Sequence, residues 1–179
     1  MCDLSLAVTP RQFFDRHWTR VAALVFILSA AGCSTSPPTD RESSVVSSRE
    51  LSSRVTPEQA SDITIYAVSL VGTPYRYGGN TPDAGFDCSG LIGHVFKTRA
   101  DLVTPRTVRT LQYWGQSVQI DRVRTGDVVV FAQNDVATHA GIYVGEGRFV
   151  HAPSTGGEVR LDHLNSRYWS SQRVSFRRP

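Results

Sequence analysis

The sequence predicts an α+β fold, with N-terminal helices packed on one face of an antiparallel sheet of about five to six strands. Two capped, helix-periodic segments lie between residues 56 and 99. After residue 104 the chain changes to short β-rich runs separated by turn residues. Helices first and an antiparallel meander afterwards is the α+β order.

The first helix opens at "TPEQ". Thr56 is the N-cap, Pro57 takes the first helical position and Gln59 the third, a capping-box arrangement. Ala60, Ile63, Ala67, Leu70 and Val71 share one helical face, and Gly72 closes the helix. A loop with three glycines and two prolines, "TPYRYGGNTPDAGF", follows. Asp87 caps the second helix, whose buried face is Leu91, Ile92, Val95 and Phe96. Strands are expected at 126–132, 138–145, 147–152, 158–164 and 173–178.

The segments before residue 56 read differently. Arg11, Arg16 and Arg20 precede the uncharged run "VAALVFILSAA", which ends at Gly32 and Cys33. Basic residues, a short apolar run and small residues before a cut site define an export signal over residues 1–32, since a membrane-spanning helix needs about 20 apolar residues. "LSAAGC" resembles a bacterial lipobox, with Cys33 as the lipidated residue; a plain secretory signal with an incidental cysteine is the alternative. Residues 33–55 then form the lipidated cysteine and a Ser-rich tether too poor in apolar residues to pack. As a flexible coil the tether spans roughly 25 Å. Residues 56–179 form the globular domain. The net charge is +3 with no dense block of lysine or arginine, so the chain carries no nucleic-acid footprint; Arg173, Arg177 and Arg178 read as a solvated basic end.

With Cys33 lipidated, Cys88 is the remaining cysteine of the exported chain. No intramolecular disulfide is then available to it, and an unpaired exported thiol reads as reactive. Cys88 lies in the first turn behind Asp87, where unpaired N–H groups and the positive helix end favour a thiolate over the ordinary thiol of pKa about 8.5. Gly90, one turn in, implies the close approach of another chain segment or of a substrate. A buried structural cysteine is the plainer alternative.

A nucleophilic cysteine needs a base. In "THAGIYVG" alternation puts His139, Gly141 and Tyr143 on one face and Ala140, Ile142 and Val144 on the other. A three-residue loop at 145–147 places His151 opposite Gly141 and diagonal to His139, about 7 Å away. A two-residue turn flips His151 to the other face. In the first case His139 serves as base and His151 fixes its tautomer. His94 and His163 read as structural or solvated. One cysteine and two histidines could ligate zinc, but no close cysteine pair is present, so no metal site is expected.

The blocks "GTPYRYGGNTPDAGFDCSGLIGHVF", "TPRT", "RTGDVVVF", "HAGIYVG" and "FVHAPSTGG", in this order, resemble the NlpC-type cell-wall endopeptidases, papain-like cysteine peptidases of bacteria. The resemblance covers about residues 62–160. It implies a papain-like fold for 56–179, with Cys88 as nucleophile, His139 as base and His151 as polar third residue. It also implies a role for Tyr75 beside the oxyanion, and contacts of Asp87 and Ser89 with the amino end of the substrate. The activity implied is hydrolysis of amide bonds in peptidoglycan stem peptides or their cross-links, without cofactor or metal. Both the diaminopimelate–D-alanine cross-link and the γ-glutamyl bond of the stem are cut within the family. An amidase or acyltransferase on the same fold, and a non-catalytic wall-binding lipoprotein, are the rival readings. Ser34 after Cys33, under the sorting rule for envelope lipoproteins, implies the periplasmic face of the outer membrane in a Gram-negative host.

Overall fold

The computed structural model describes residues 53–154 and 157–179. The signal expected at 1–32, Cys33 and nearly all of the tether lie outside the described residues.

Helix α1 spans Pro57–Ser69 and carries both capping-box bonds. The Gln59 N–H donates to Thr56 Oγ1 at 3.2 Å, and the Thr56 N–H donates to Gln59 Oε1 at 3.0 Å. Ala60, Ile63, Ala67 and Leu70 are buried as expected, but Val71 is 44% exposed. The helix ends at Ser69 with Leu70 as C-cap, so Val71 has left the helical period. Gly72 then adopts a φ of +91° and donates its N–H to the Val159 carbonyl.

The expected loop after α1 contains a small hairpin, β1 (Asn80–Thr81) and β2 (Gly85–Phe86). Helix α2, Cys88–Ala100, is capped by Asp87, whose side chain accepts from the Gly90 N–H at 2.7 Å. Its buried face is Leu91, Ile92, Val95 and Phe96, all fully buried. A Cβ on Gly90 would stand 1.9 Å from the Gly79 carbonyl oxygen, so the segment packed against this turn is the β1 approach loop itself.

A one-turn helix, α3 (Val108–Leu111), leads into a six-stranded antiparallel sheet: β3 (Gln116–Val118), β4 (Val128–Gln133), β5 (Val136–Gly145), β6 (Arg148–His151), β7 (Arg160–His163) and β8 (Arg173–Arg178). The strand order is β3-β8-β4-β5-β6-β7. Alternation along β4 divides the core. Val128 and Val130 face a cluster with the α1 and α2 residues, whereas Val129 and Phe131 join Val118, Phe149, Trp169 and Phe176 in a second cluster. Full burial of each large side chain contributes about 1.5–3 kcal/mol.

The β5–β6 hairpin has only Glu146 and Gly147 between its strands. Two-residue turns flip the register, but here the pairing shifts between Tyr143 and Gly145, and this bulge absorbs one residue. Ile142 therefore pairs Val150, which carries His151 across from Gly141 as a three-residue loop would. A Cβ on Gly141 would stand 2.7 Å from the Val150 carbonyl oxygen and 3.1 Å from the His151 Cβ, so glycine here lets β6 lie close against β5.

Candidate active site

The thiol side is built from the N-terminus of α2 and the loop before it. Cys88 is partly buried in the wall of a cleft of about 510 Å³, together with Tyr75, Asp87, Ser89 and Arg106. Its sulfur is approached by the backbone N–H groups of Ser89, Ala140 and Cys88 itself, which favour the thiolate. Burial is the larger influence and pushes the thiol up; the Asp87 carboxylate pushes it further in the same direction. The thiol therefore titrates above its ordinary range, contrary to the expectation from the helix terminus. The reasons are burial first and, second, the residue that caps α2, an anion placed one position before the sulfur.

Asp87 is the hub of this side. Its Oδ1 accepts from the Gly90 N–H, from Ser89 Oγ at 2.9 Å and from Arg106 Nη1 at 2.7 Å. Its Oδ2 accepts from the Gly78 N–H at 2.9 Å and from Arg106 Nη2 at 3.2 Å. Burial raises its pKa, but the Arg106 guanidinium, the Gly90 N–H and the Ser89 hydroxyl outweigh burial and hold the carboxyl below its ordinary range. Ser89 is buried and lies 2.8 Å from the Arg106 carbonyl. The polar atoms of Asp87 and Ser89 are thus engaged within the chain, through Arg106 of the "TPRT" block, a residue with no role expected from sequence. Tyr75 lies on the same wall. Burial, then the charges of Cys88 and Asp87, raise its phenol, so it stays protonated and able to donate.

The imidazole side belongs to the sheet. His139 Nε2 lies 2.8 Å from His151 Nδ1, and His151 Nε2 lies 3.0 Å from Asp162 Oδ2. A carboxylate only accepts, so the His151 proton is on Nε2. Neutral His151 then has an unprotonated Nδ1, which accepts from the Nε2–H of His139. That leaves Nδ1 of His139 as the unprotonated, basic nitrogen. Burial drives both imidazoles toward neutrality: His139 is lowered to about 3 and His151 to about 4.

Asp162, a residue with no role expected from sequence, anchors this relay. Its Oδ2 also accepts from Trp169 Nε1 at 2.9 Å and from Arg160 Nε at 3.1 Å, and Arg160 Nη2 stands in ion-pair contact with it at 3.0 Å. Burial raises its pKa, but the Trp169, His151 and Arg160 interactions prevail and hold it ionised. Trp169 stacks on His139 with ring centroids 5.3 Å apart and meets His151 edge-on at 5.2 Å. The indole thus packs on both rings while its N–H orients the carboxylate. His94 bonds to Tyr66 Oη at 2.8 Å and packs on Phe86, a structural role; His163 is exposed at the end of β7.

His139 lines a second cavity of about 400 Å³ with Arg160 and Trp169. Thr138, beside His139 on β5, lines both cavities, so the thiol cleft and the imidazole cavity adjoin there. A thiol flanked by N–H donors, next to a base whose tautomer is fixed from behind, can carry out acyl transfer by nucleophilic attack.

The described architecture and this site define an α+β protein of the NlpC/P60 family, whose family model matches residues 72–178; the chain belongs to that family. Among curated proteins it is 38% identical over 112 residues to the murein DD-endopeptidase MepH of Escherichia coli, a match covering 60% of this chain and 41% of the relative. It is 39% identical over 114 residues to the gamma-DL-glutamyl hydrolase of Bacillus subtilis, covering 63% of this chain and 27% of that protein. The chain thus spans less than half the length of both relatives. Among solved structures, the NlpC/p60 domain of the peptidoglycan hydrolase SagA superposes with a TM-score of 0.57 at 25% identity, over 65% of this chain and 96% of that domain.

Proposed function

We propose that the chain is a peptidoglycan peptidase that cleaves amide bonds of cell-wall stem peptides or their cross-links through Cys88, His139 and His151. The observation that carries this reading is the relay from Asp162 through His151 to His139, which leaves one basic nitrogen beside a thiol cleft. The names of the relatives, a murein DD-endopeptidase and a gamma-DL-glutamyl hydrolase, supply the substrate class.

Cys88 Sγ attacks the amide carbonyl as its proton passes to His139 Nδ1. The backbone N–H of Cys88 and the Tyr75 hydroxyl stabilise the oxyanion. The protonated His139 then gives its proton to the leaving amine, and water, activated by the same imidazole, releases the acyl group from the sulfur. We further propose that residues 1–32 are removed on export, that Cys33 is lipidated, and that residues 34–55 tether the domain to the membrane, the outer one in a Gram-negative host, beside its polymeric substrate.

Incubation of purified peptidoglycan with wild-type protein and Cys88→Ala, followed by mass analysis of the released peptides, tests the reading. New peptide ends from the wild type alone are expected; equal release by both proteins overturns it.

A further inference from the structure

We propose that Arg160 is a specificity residue that binds the free carboxylate of the leaving residue, so that the enzyme prefers amide bonds whose leaving amine sits on a carbon bearing an ionised carboxylate. This inference rests on the peptidase reading above.

The first observation is the way the guanidinium is held. Arginine has two hydrogen-bonding edges, Nε with Nη2 and Nη1 with Nη2. In Arg160 the Nε and Nη2 atoms both converge on a single oxygen, Asp162 Oδ2. Nη1 has no hydrogen-bond partner among the described residues, so the end-on edge is free to take a second carboxylate bidentately. The anchor to β7 fixes the plane of the group in advance, which reduces the ordering cost of binding.

The second observation is where the residue lies: besides a smaller cavity shared with Pro74, Gly157 and Glu158, it reaches the one that holds His139. Arg160 and His139 line the same cavity of about 400 Å³. Its remaining walls, Gln133, Thr138, Pro153, Ser154, Tyr168 and Trp169, carry no charge, so Arg160 is the one cation facing this space among the described residues. The acid that protonates the leaving nitrogen has to lie beside it. With His139 as that acid, the acyl fragment occupies the Tyr75–Asp87–Cys88 cleft and the leaving fragment the cavity of Arg160.

The chemistry of the substrate separates the two bonds in question. In the cross-link, the leaving amine of diaminopimelate is on a carbon that bears a free carboxylate. At the γ-glutamyl bond of a stem longer than three residues, the corresponding carboxyl is tied up in the next amide. Arg160 selects the first.

The experiment uses two synthetic peptides identical except that the leaving residue ends in a carboxylate or in a carboxamide. For the wild type, kcat/KM is expected to favour the carboxylate by about tenfold, the low end for a charge-assisted bond to a partly exposed cation. Arg160→Gln should bring the ratio near one, chiefly through KM, and Arg160→Lys should restore part of it. A wild-type ratio near one, or an unchanged ratio in Arg160→Gln, overturns the proposal. Calorimetric titration of the Cys88→Ala protein with both peptides reads the site without turnover. Preferential binding of the carboxylate, lost in Cys88→Ala/Arg160→Gln, supports the site even where no hydrolysis occurs, whereas equal affinities refute it; loss of hydrolysis alone counts against the peptidase reading.

Discussion

Removing the Asp162 carboxylate tests the relay at its anchor. In Asp162→Ala the His151 Nε2–H, on an imidazole with no exposed surface, loses its acceptor at 3.0 Å. An unpaired buried donor costs about 1–3 kcal/mol of folding stability. The effect on chemistry follows from tautomers. Without Asp162, His151 can carry its proton on Nδ1, which makes it a donor toward His139 Nε2. His139 must then hold its own proton on Nδ1, the nitrogen that has to be vacant to accept from Cys88. General-base catalysis is worth about 10²–10⁴-fold, and an outer orienting partner typically about 10- to 100-fold, so a loss of the latter size in kcat is expected. Asp162→Asn keeps an oxygen acceptor and should fall between the variant and the wild type. Turnover of purified peptidoglycan gives the rate, urea unfolding gives the stability, and ¹⁵N spectra of the imidazoles report which nitrogen is protonated. Turnover by Asp162→Ala within twofold of wild type, with unchanged imidazole signals, would refute the reasoning.

Two other predictions concern stability. Both relay histidines have folded pKa values below their ordinary 6.5, His139 about 3 and His151 about 4. The depressed values mean the unfolded chain binds protons first, so their contribution is fully present above pH 6.5, declines steadily below it, and is gone once pH has fallen through about 4 and then about 3. The urea midpoint should therefore decline between pH 7.5 and 4.5, and a flat profile there would contradict buried neutral imidazoles. Gly90→Ala places a methyl 1.9 Å from the Gly79 carbonyl oxygen, a backbone atom that cannot rotate away. A destabilisation of at least about 1–3 kcal/mol is expected by thermal or urea melting; a variant as stable as wild type would show that the two segments are not packed as described.

The parts of the site that were legible in sequence are those set by local rules. Caps, periodicity and alternation place Cys88 at a helix start and His139 on a strand face, because each depends on neighbours a few residues away. His151 was a conditional case, since its face depended on a loop count. The structure reaches the expected face by another route, a two-residue turn offset by a bulge beside Gly145. Asp162 and Arg106 were not legible. Asp162 acts through the pairing of β7 with β6, where Asp162 stands opposite Phe149 beside His151, and strand pairing across an eight-residue connection leaves no periodic trace. Arg106 reaches Asp87 from 19 positions away. The short elements β1, β2, α3 and β3 escaped for a related reason: at two to four residues, none completes enough periods to be read.

The two sides of the site also constrain how the thiol can be activated. Burial and the Asp87 carboxylate raise Cys88, while burial, the neighbouring His151 and Arg160 lower His139. At neutral pH the resting pair is therefore a neutral thiol and a neutral imidazole, not a thiolate–imidazolium ion pair. Asp87 cannot simply be dispensed with to ease ionisation, because its oxygens cap α2 and hold Arg106, Ser89 and the Gly78 turn that shape the cleft. In the proposed mechanism the proton leaves the sulfur as the sulfur attacks, so the rate would depend on a base already in the correct tautomer. Under that mechanism the Asp162–His151–His139 relay has a purpose: each part-buried hydrogen bond fixes the next proton, and the last one leaves His139 Nδ1 vacant for the thiol proton.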